Sequence, residues 1–339
     1  MCIAFFTLTL PGYKLVLASN RDEFLDRPTL PAQWHDFTPG GEAENRSTDG
    51  DRGGTQVEGK PKGSVLSGLD RGKQEGGTWL GITQDLRVGL LTNVRLTPPT
   101  PPLKPSPNPP SRGLLLKQFL LPSPTAGVSV GVGVHEYLTS HLPTAGEYEG
   151  FNLLLFSLGK KGEEAEVGYL TNRPKPSFTE LRVPDSTSTS ASGADGASQP
   201  VGITAQCFGI SNSPMYEPWP KVIEGEKRMA QTLKEWADVD GRGDEKALVE
   251  RMFGVLGHQA PITEAGDLST TTTVPHLIVP GESPNNKARG YGTRTATVIL
   301  VREDGKTTFV ERDVLVLDEL HGEVKKGERE RWFEFQAEV

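Results

Sequence analysis

The sequence predicts an α+β protein in which antiparallel sheets are layered as a sandwich and covered by outer helices. Three observations support this prediction. Short β-rich runs occur in pairs that are typical of hairpins. Several runs are apolar at consecutive positions, as Cys2 to Phe6 shows, so both faces of the sheets need cover. Helical patterns lie between the hairpins instead of alternating with single strands.

The predicted elements are short and follow one another closely. The expected strand pairs are Cys2 to Leu10 with Tyr13 to Ser19, Thr78 to Thr83 with Leu86 to Asn93, Phe151 to Leu158 with Glu166 to Thr171, and Arg294 to Val301 with Thr307 to Glu311. A single β-like run, Gly202 to Asn212, precedes the longer helices. Helices are expected over Arg112 to Leu121, Val134 to His141, Pro220 to Ala237 and Glu245 to Leu256.

The whole chain, residues 1–339, is expected to form a single domain that carries three flexible insertions. Residues 40–76 are rich in Gly, Asp, Lys and Ser, which favours an expanded loop. Residues 97–111 are rich in proline, and residues 184–200 in Ser, Thr, Ala and Gly. Such compositions do not form a packed layer, so these segments are expected at the surface.

Charge and composition exclude several classes of partner. A net charge of -8 argues against binding to nucleic acid or to anionic lipid. No apolar stretch approaches the roughly 20 residues that a transmembrane helix needs. The chain has 2 cysteines, too few for a disulfide framework, which predicts a reducing, cytoplasmic compartment. The histidines and cysteines lack zinc-site spacing, so no metal is expected.

The amino-terminal hairpin is the candidate chemical site. If its two strands pair across Pro11-Gly12, then Cys2 lies opposite Arg21 and close to the carboxylate of Asp22. A slipped register would move these groups by a residue or two. Two plain alternatives remain open: a cysteine in an apolar strand is often simply core, and the polar run after the second strand is compatible with a solvated turn.

Position 2 has special chemistry if the initiator Met1 is removed, as is expected before a small residue. Cys2 would then carry a thiol with a pKa of about 8.5 and an α-amine with a pKa of roughly 7.7 to 8.0. One residue would supply both the nucleophile and the general base at neutral pH. Arg21 would favour the thiolate, and Asp22 would hold the amine or the arginine in place.

An ordered series of short motifs resembles the NRDE-motif family from the first residue to about Glu311. It opens with Met1-Cys2-Ile3, Asn20-Arg21-Asp22-Glu23-Phe24 and Arg27-Pro28-Thr29. The further blocks are Gly77-Thr78-Trp79-Leu80-Gly81-Ile82, Leu91-Thr92-Asn93, Ser111-Arg112-Gly113, Gly150-Phe151-Asn152-Leu153-Leu154, Gly209-Ile210-Ser211-Asn212-Ser213, Pro218-Trp219-Pro220-Lys221 and Tyr291-Gly292-Thr293-Arg294. One tetrapeptide would be weak support, but the series in this order is a specific signal.

That family is similar to N-terminal-nucleophile hydrolases of the choloylglycine hydrolase and penicillin V acylase branch. The resemblance implies a four-layer αββα sandwich. It also implies a catalytic cysteine, an aspartate that supports the amine, two asparagines that hold the amine and the oxyanion, and a later arginine. Matched motif to motif, these roles fall on Cys2, Asp22, Asn93, Asn212 and Arg294. The departure is Ser19, where the hydrolase branch has arginine; two alternatives follow, that Arg21 substitutes for it or that the hydrolase activity has been lost.

Other readings of these residues are plainer. Asn93 and Asn212 are also common types of turn cap, whereas Arg294 opens an apolar strand and needs a partner, for which a site carboxylate or thiolate is expected. Asn20, Arg21 and Trp79 are expected to line the pocket; tryptophan at such a position is more often core or groove wall than a ligand platform. Cys207 is predicted to be an inert, buried thiol.

Three functions follow from the residues and the resemblance. The first is a cysteine amidohydrolase that acts on a non-peptide amide or a thioester of a small acylated molecule, with no cofactor required. The second is a non-catalytic carrier of a small hydrophobic molecule, lipid or haem, because the resemblance implies roles in Golgi organisation, protein secretion, and lipid and haem homeostasis. The third is an interaction scaffold that has kept a hydrolase fold. Association with the Golgi, endoplasmic reticulum or mitochondria is implied in the same way, and the oligomeric state stays open.

Overall fold

The computed structural model describes residues 2–37, 55–56, 63–73, 76–95, 108–121, 133–159, 164–181, 207–238, 244–261, 268–281, 287–318 and 320–337. In chain order the strands are β1 (Cys2–Thr7), β2 (Tyr13–Phe24), β3 (Thr29–His35), β4 (Thr55–Gln56), β5 (Val65–Asp70), β6 (Leu80–Thr83), β7 (Arg87–Asn93), β8 (Phe151–Ser157), β9 (Glu166–Thr171), β10 (Ser177–Leu181), β11 (Phe208–Ile210), β12 (Leu277–Val279), β13 (Arg289–Arg302), β14 (Lys306–Asp313), β15 (Leu315–Asp318), β16 (Glu323–Lys326) and β17 (Glu330–Gln336). The α-helices are α1 (Gly113–Leu120), α2 (Val134–His141), α3 (Pro220–Asp238) and α4 (Glu245–Leu256), and Ala145–Glu147 forms a 3-10 turn.

The strands form two large sheets and a small hairpin. The first sheet has the order β11-β1-β2-β13-β14-β17-β4, with β12 also paired to β13. The second has the order β10-β9-β8-β7-β6-β5-β3, and β15 pairs with β16. Every described strand pair is antiparallel except β17 with β4, so the expected antiparallel sheets are confirmed.

Three apolar clusters define four layers. Between the sheets, the ring of Phe6 meets that of Phe156 edge-on, with centroids 5.2 Å apart. On the outer face of the first sheet, Val16 belongs to a cluster with Met252 and other residues of α3 and α4. On the outer face of the second sheet, Leu116 of α1 packs with residues of β8 and α2. The predicted αββα sandwich is therefore confirmed, with each sheet covered on both faces.

The amino-terminal hairpin extends further than the sequence suggested. Strand β2 continues to Phe24 because β13 pairs with it along its whole length on the side opposite β1. The polar run 20–23 was expected to follow the strand as a site or a solvated turn, and that placement is wrong. These residues lie inside the strand, and the first three of them are buried.

The interpretation of residues 40–76 as a loop is also wrong over β5, a buried strand between β3 and β6. Its Gly68 weakens the strand signal, but a Cβ there would lie 2.7 Å from the ring of Trp79, so close packing requires the glycine. Strand β3 contains Pro31 beside a register shift, where proline is tolerated. Strand β4 also lies in this segment, and the rest of the proposed insertions lies outside the described residues, except for 63–73, 76 and 108–111.

The other predicted elements are confirmed, with ends that differ by a few residues. The helices and hairpins occur where the apolar periodicity places them, and β13 and β14 are longer than expected. Only Phe208–Ile210 of the predicted run 202–212 is a strand, and residues 201–206 lie outside the described part. No helix within the described residues is long and apolar enough to cross a membrane.

Two helical glycines provide a test of how closely α3 packs on β1. A Cβ at Gly225 would lie 2.0 Å from the ring of the fully buried Phe5, whereas one at Gly254 of α4 would meet nothing within 4 Å. Glycine lowers helix stability relative to alanine by about 0.5–1 kcal/mol, so Gly254→Ala should stabilise by that amount. Gly225→Ala should instead destabilise by about 1–2 kcal/mol, because overpacking outweighs the gain in helix propensity.

The measurement is equilibrium denaturation in urea, with the slope compared between variants to exclude a change in the unfolded state. Equal stabilisation by both substitutions would contradict the close contact between α3 and β1.

Candidate active site

The paired ends of β1 and β2 open into a small cleft. Cys2 lies directly opposite Arg21, as the hairpin register predicts. Cys2 is partly exposed and lines a cavity of about 100 Å³ at the edge of both sheets. Asp22, Trp79 and Asn93 also line it, so residues from β2, β7 and the segment before β6 converge there. The plain interpretation of Cys2 as sealed core is therefore wrong.

Arg21 forms the floor of the cleft. Its guanidinium carbon lies 3.9 Å from the ring centroid of Trp79, which is half-buried and forms the wall. This cation–π contact stabilises a guanidinium that is 4% exposed. Burial lowers the pKa of Arg21, while Glu23 and the thiol of Cys2 oppose that shift. Arg21 and Trp79 thus occupy the cleft positions expected from the sequence.

Asp22 faces the helix layer. Its neighbour across the sheet is Thr293 of β13, whose hydroxyl donates a hydrogen bond of 2.5 Å to Asp22 Oδ1. Thr293 is held in turn by the backbone N–H of Val274, 2.8 Å from Oγ1. Burial raises the pKa of Asp22, and the positive charge at the start of the chain, Lys221 and the Thr293 hydroxyl oppose that shift. A carboxylate close to the start of the chain is thus fixed in orientation.

The Cys2 thiol is less acidic than the sequence suggested. Arg21 and a hydrogen bond with the backbone of Asp22 lower its pKa, but burial and the Asp22 carboxylate raise it, and burial is the largest effect. Arg21 thus acts in the expected direction, toward the thiolate, but burial outweighs it and the net pKa of the thiol is raised. A proton acceptor is needed to make this sulfur a nucleophile at neutral pH.

The two predicted asparagines have different positions. Asn93 is exposed at the end of β7 and lines the cleft. Asn212 is fully buried, is not among the residues that line the cavity, and donates from Nδ2 to the backbone carbonyl of Asn93 at 2.8 Å. Asn93 is thus placed to contact a ligand, whereas Asn212 positions Asn93.

A buried hydrogen-bond network joins the two sheets behind the cleft. Ser211 Oγ donates to the carbonyl of Cys2 at 2.8 Å, and Thr92 Oγ1 donates to the carbonyl of Ser211 at 2.6 Å. Asn152 Nδ2 donates to the carbonyls of Ser211 and Ser213 at 3.1 Å and 2.9 Å. Tyr169 donates to Asn152 Oδ1 at 2.7 Å. Sequence reasoning missed these roles, although several of the residues lie in the motifs it recognised.

Asn20 is not a pocket residue. It is 1% exposed, and its Nδ2 donates to the carbonyls of Leu256 and Thr272, both at 3.1 Å. These partners lie at the end of α4 and in the segment before β12. Alternation along β2 explains the error, because Asn20 and Arg21 point to opposite faces of the sheet.

Arg294 also lies away from the cavity lining. Its Nη1 donates to the backbone carbonyls of Phe24 and Arg27 at 3.1 Å and 2.6 Å, so its partners are carbonyls and not the expected carboxylate or thiolate. Burial lowers the pKa of Arg294 to about 10, and Arg21 adds to the shift. Arg294 thus stabilises the backbone at the end of β2 and in the turn that follows it.

The rim of the cleft consists of paired charges. Arg27 binds Asp70 with contacts of 2.9 Å and 3.1 Å and also lies 3.7 Å from Glu23. Arg112 pairs with Glu149 at 3.1 Å. Within the described residues, no group of three or more His, Cys, Asp or Glu side chains is arranged for a metal ion.

Cys207 is 4% exposed and lies in the cluster beneath α3 and α4. Burial, with help from Glu226, raises the pKa of its thiol to about 12. The prediction of a buried, unreactive thiol agrees with this environment.

Two solved structures resemble the chain over most of its length at low similarity. A mutant of conjugated bile acid hydrolase from Clostridium perfringens covers 91% of this chain and 88% of its own, at 9% identity and a TM-score of 0.39. The N-acylethanolamine-hydrolyzing acid amidase ortholog of Caenorhabditis elegans covers 88% and 92%, at 10% identity and a TM-score of 0.38. The four-layer assignment does not depend on these matches, because strand pairing and core clusters define it.

The sequence is similar to relatives named for transport and Golgi organisation. The Transport and Golgi organization protein 2 homolog of Bos taurus is 29% identical over 329 residues, which cover 94% of this chain and 95% of the bovine protein. The Homo sapiens homolog is 28% identical over 340 residues, 97% and 98% of the two chains. The Drosophila melanogaster protein is 25% identical over 341 residues, 98% and 99%.

The family model described as Transport and Golgi organisation 2 matches residues 1–315, which include every residue of the cleft. The chain belongs to the Transport and Golgi organisation 2 family.

Proposed function

We propose that the chain uses Cys2 as a nucleophile toward the carbonyl of a small acylated molecule, an amide or a thioester. The observation that carries this proposal is the position of Cys2, a partly exposed residue that lines the cleft together with Asp22 and Arg21. We further propose that this chemistry serves the process for which the relatives are named, transport and Golgi organisation.

The proposed reaction requires removal of Met1, which leaves the α-amine on Cys2. The amine accepts the thiol proton while the sulfur forms a bond to the carbonyl carbon. Asn93 donates to the resulting oxyanion in this proposal, which its place in the lining of the cleft supports. The protonated amine then gives its proton to the departing nitrogen or sulfur. Water attacks the thioester that remains, which releases the acid and restores the thiol.

Cavity size and charge support a small polar substrate. The cavity volume of about 100 Å³ is well below the roughly 300–1,000 Å³ of sites that enclose drug-sized ligands. A short acyl segment fits inside, and the rest of the molecule would lie along the charged rim formed by Arg27, Asp70 and Arg112. A polar or zwitterionic head group on the acylated molecule satisfies that rim better than a purely apolar one.

Transport of haem or lipid by the same cleft, the alternative from the sequence, stays a prediction. Among the described residues that line the cleft there is no histidine, and Cys2 is the sulfur available as an axial ligand. The charged rim and small volume favour the acyl substrate over a porphyrin. Cytoplasmic localisation with association to the Golgi, endoplasmic reticulum or mitochondria likewise stays a prediction.

The first test follows the role of the amine. In a Cys207→Ser background, Cys2 is alkylated with iodoacetamide across pH in the processed chain and in a chain that retains Met1. Burial raises the Cys2 pKa above its ordinary value, so with Met1 retained the rate should keep rising beyond pH 9.0. Removal of Met1 should move the profile to lower pH, because the adjacent amine supplies positive charge and accepts the proton. If the two chains gave the same pH profile, the amine of Cys2 would not be the base.

A second test separates the two asparagines with p-nitrophenyl acetate as the acyl donor and intact mass as the readout. Asn93→Ala should slow acylation of Cys2 by about 10²–10³-fold, the usual effect of losing an oxyanion donor. Its stability should change by less than about 0.5 kcal/mol, because the side chain is exposed. Asn212→Ala should destabilise by about 1–3 kcal/mol, because it removes a fully buried side chain and its hydrogen bond to the carbonyl of Asn93. Absence of an acetyl adduct on Cys2 in the parent protein would refute acyl transfer with this donor.

The haem alternative has its own readout. Titration with haemin should give a Soret band shift if the cleft binds the porphyrin, and Cys2→Ala should abolish the shift if the sulfur is the axial ligand. A shift that survives Cys2→Ala places haem elsewhere, and no shift in either protein excludes the cleft as a haem site.

A further inference from the structure

Lys221 is a buried amine that the proposed reaction does not use. It is 1% exposed at the start of α3, where its backbone N–H donates to the carbonyl of Ser269 at 2.9 Å. Its Nζ has no hydrogen-bond partner among the described residues and lies 5.5 Å from the ring centroid of Trp219. An ammonium in such surroundings is unfavourable unless a negative charge lies close by.

The alternation of β2 shows which charge that is. Val16 and Ala18 pack with the helices, and Asn20 reaches the end of α4, so Asp22 continues the same face. Lys221 enters this layer beside Val222, which belongs to the same cluster. Asp22 and Lys221 interact electrostatically, and each opposes the effect of burial on the other.

We propose that Lys221 is a positioning residue for the Cys2 reaction, whose ammonium balances the Asp22 carboxylate from the helix side and leaves the Cys2 amine neutral. Without Lys221, the carboxylate would be balanced by the amine itself, which would then be held protonated and unable to accept the thiol proton. This inference builds on the proposed function, because it concerns the base of that reaction. It assigns the carboxylate a counterion that does not take part in bond formation.

The charged groups around Asp22 determine the direction in which the pKa values of the Cys2 thiol and amine should shift when Lys221 is replaced. Asp22 interacts electrostatically with the thiol of Cys2 on β1, Arg21 on its own strand, Lys221 on α3 and the charge at the start of the chain; its contact on β13, Thr293, is uncharged. Lys221 interacts with Asp22 and Cys2. Removing the lysine charge removes a cation close to both the amine and the thiol, so both deprotonate at higher pH.

The first measurement is the pH profile of Cys2 alkylation by iodoacetamide in the processed chain with Cys207→Ser. Lys221→Met, which keeps the length and apolar character of the side chain, should move the profile upward by about one pH unit, the usual effect of one nearby charge. Lys221→Arg retains the charge and should keep the profile near that of the parent. An unchanged profile in Lys221→Met overturns the proposal, because a merely structural lysine would not shift it.

The second measurement is a double-mutant cycle of thermal unfolding with Asp22→Asn. Each single substitution leaves a buried charge unbalanced and should lower Tm by roughly 5–10 °C. The double variant should lose clearly less than the sum, and it should fold even if Lys221→Met alone does not. Additive losses would show that the two charges are not coupled and would overturn the proposal.

The two measurements also separate this inference from the proposed function. If no acyl donor labels Cys2, but the double-mutant cycle shows coupling and the pH profile of alkylation shifts, then the role of Lys221 is supported and the acyl-transfer reaction is refuted. If p-nitrophenyl acetate acylates Cys2 and Lys221→Met leaves the pH profile unchanged, the chemistry stands and the role of Lys221 falls.

Discussion

The pairing of β2 with β1 on one side and β13 on the other is the constraint on which the site depends. It places the polar run 20–23 in a strand that is covered on both faces. Alternation then sends Arg21 toward the second sheet and its neighbours Asn20 and Asp22 toward the helices. Buried polar groups need partners, and those of Asn20, Arg21 and Asp22 come from five distant parts of the chain. Residues 20–23 therefore contact both neighbouring layers, and Cys2 lies beside them in the cleft.

The relation between the two sheets is fixed at the same place. The segment 211–213 accepts hydrogen bonds from Asn152 and donates one to the carbonyl of Cys2, while Asn212 holds the carbonyl of Asn93. One short segment thus sets the position of the thiol on the first sheet and of the amide on the second. A buried hydrogen-bond network of this kind favours a single arrangement of the elements it joins. The placement of Cys2 relative to Asn93 accordingly depends on this segment, which directly follows β11, as well as on the strands that it joins.

Local patterns were sufficient to predict the layers, the four helices and the register that sets Cys2 opposite Arg21, because periodicity and turn chemistry act over a few residues. They could not show that Asn20 reaches the end of α4 or that Asp22 interacts electrostatically with Lys221, because these interactions join segments far apart in sequence. Strand β5 was missed for a related reason. Gly68 lowers its strand propensity and is explained only by the ring of Trp79 that packs on it.

Arg294 is the extra residue of a β-bulge in β13, and it has a different role from its neighbour Thr293. Along β13 the pairing with β2 shifts between Thr293 and Thr295, so Arg294 is the residue without a partner in the ladder. A bulge of this kind turns a side chain away from its regular direction. Thr293 lies opposite Asp22 and orients its carboxylate, while Arg294 donates to the backbone carbonyls of Phe24 and Arg27. Arg294 therefore affects the cleft indirectly. Its hydrogen bond to the carbonyl of Arg27 holds the backbone at the rim, where the side chain of Arg27 pairs with Asp70.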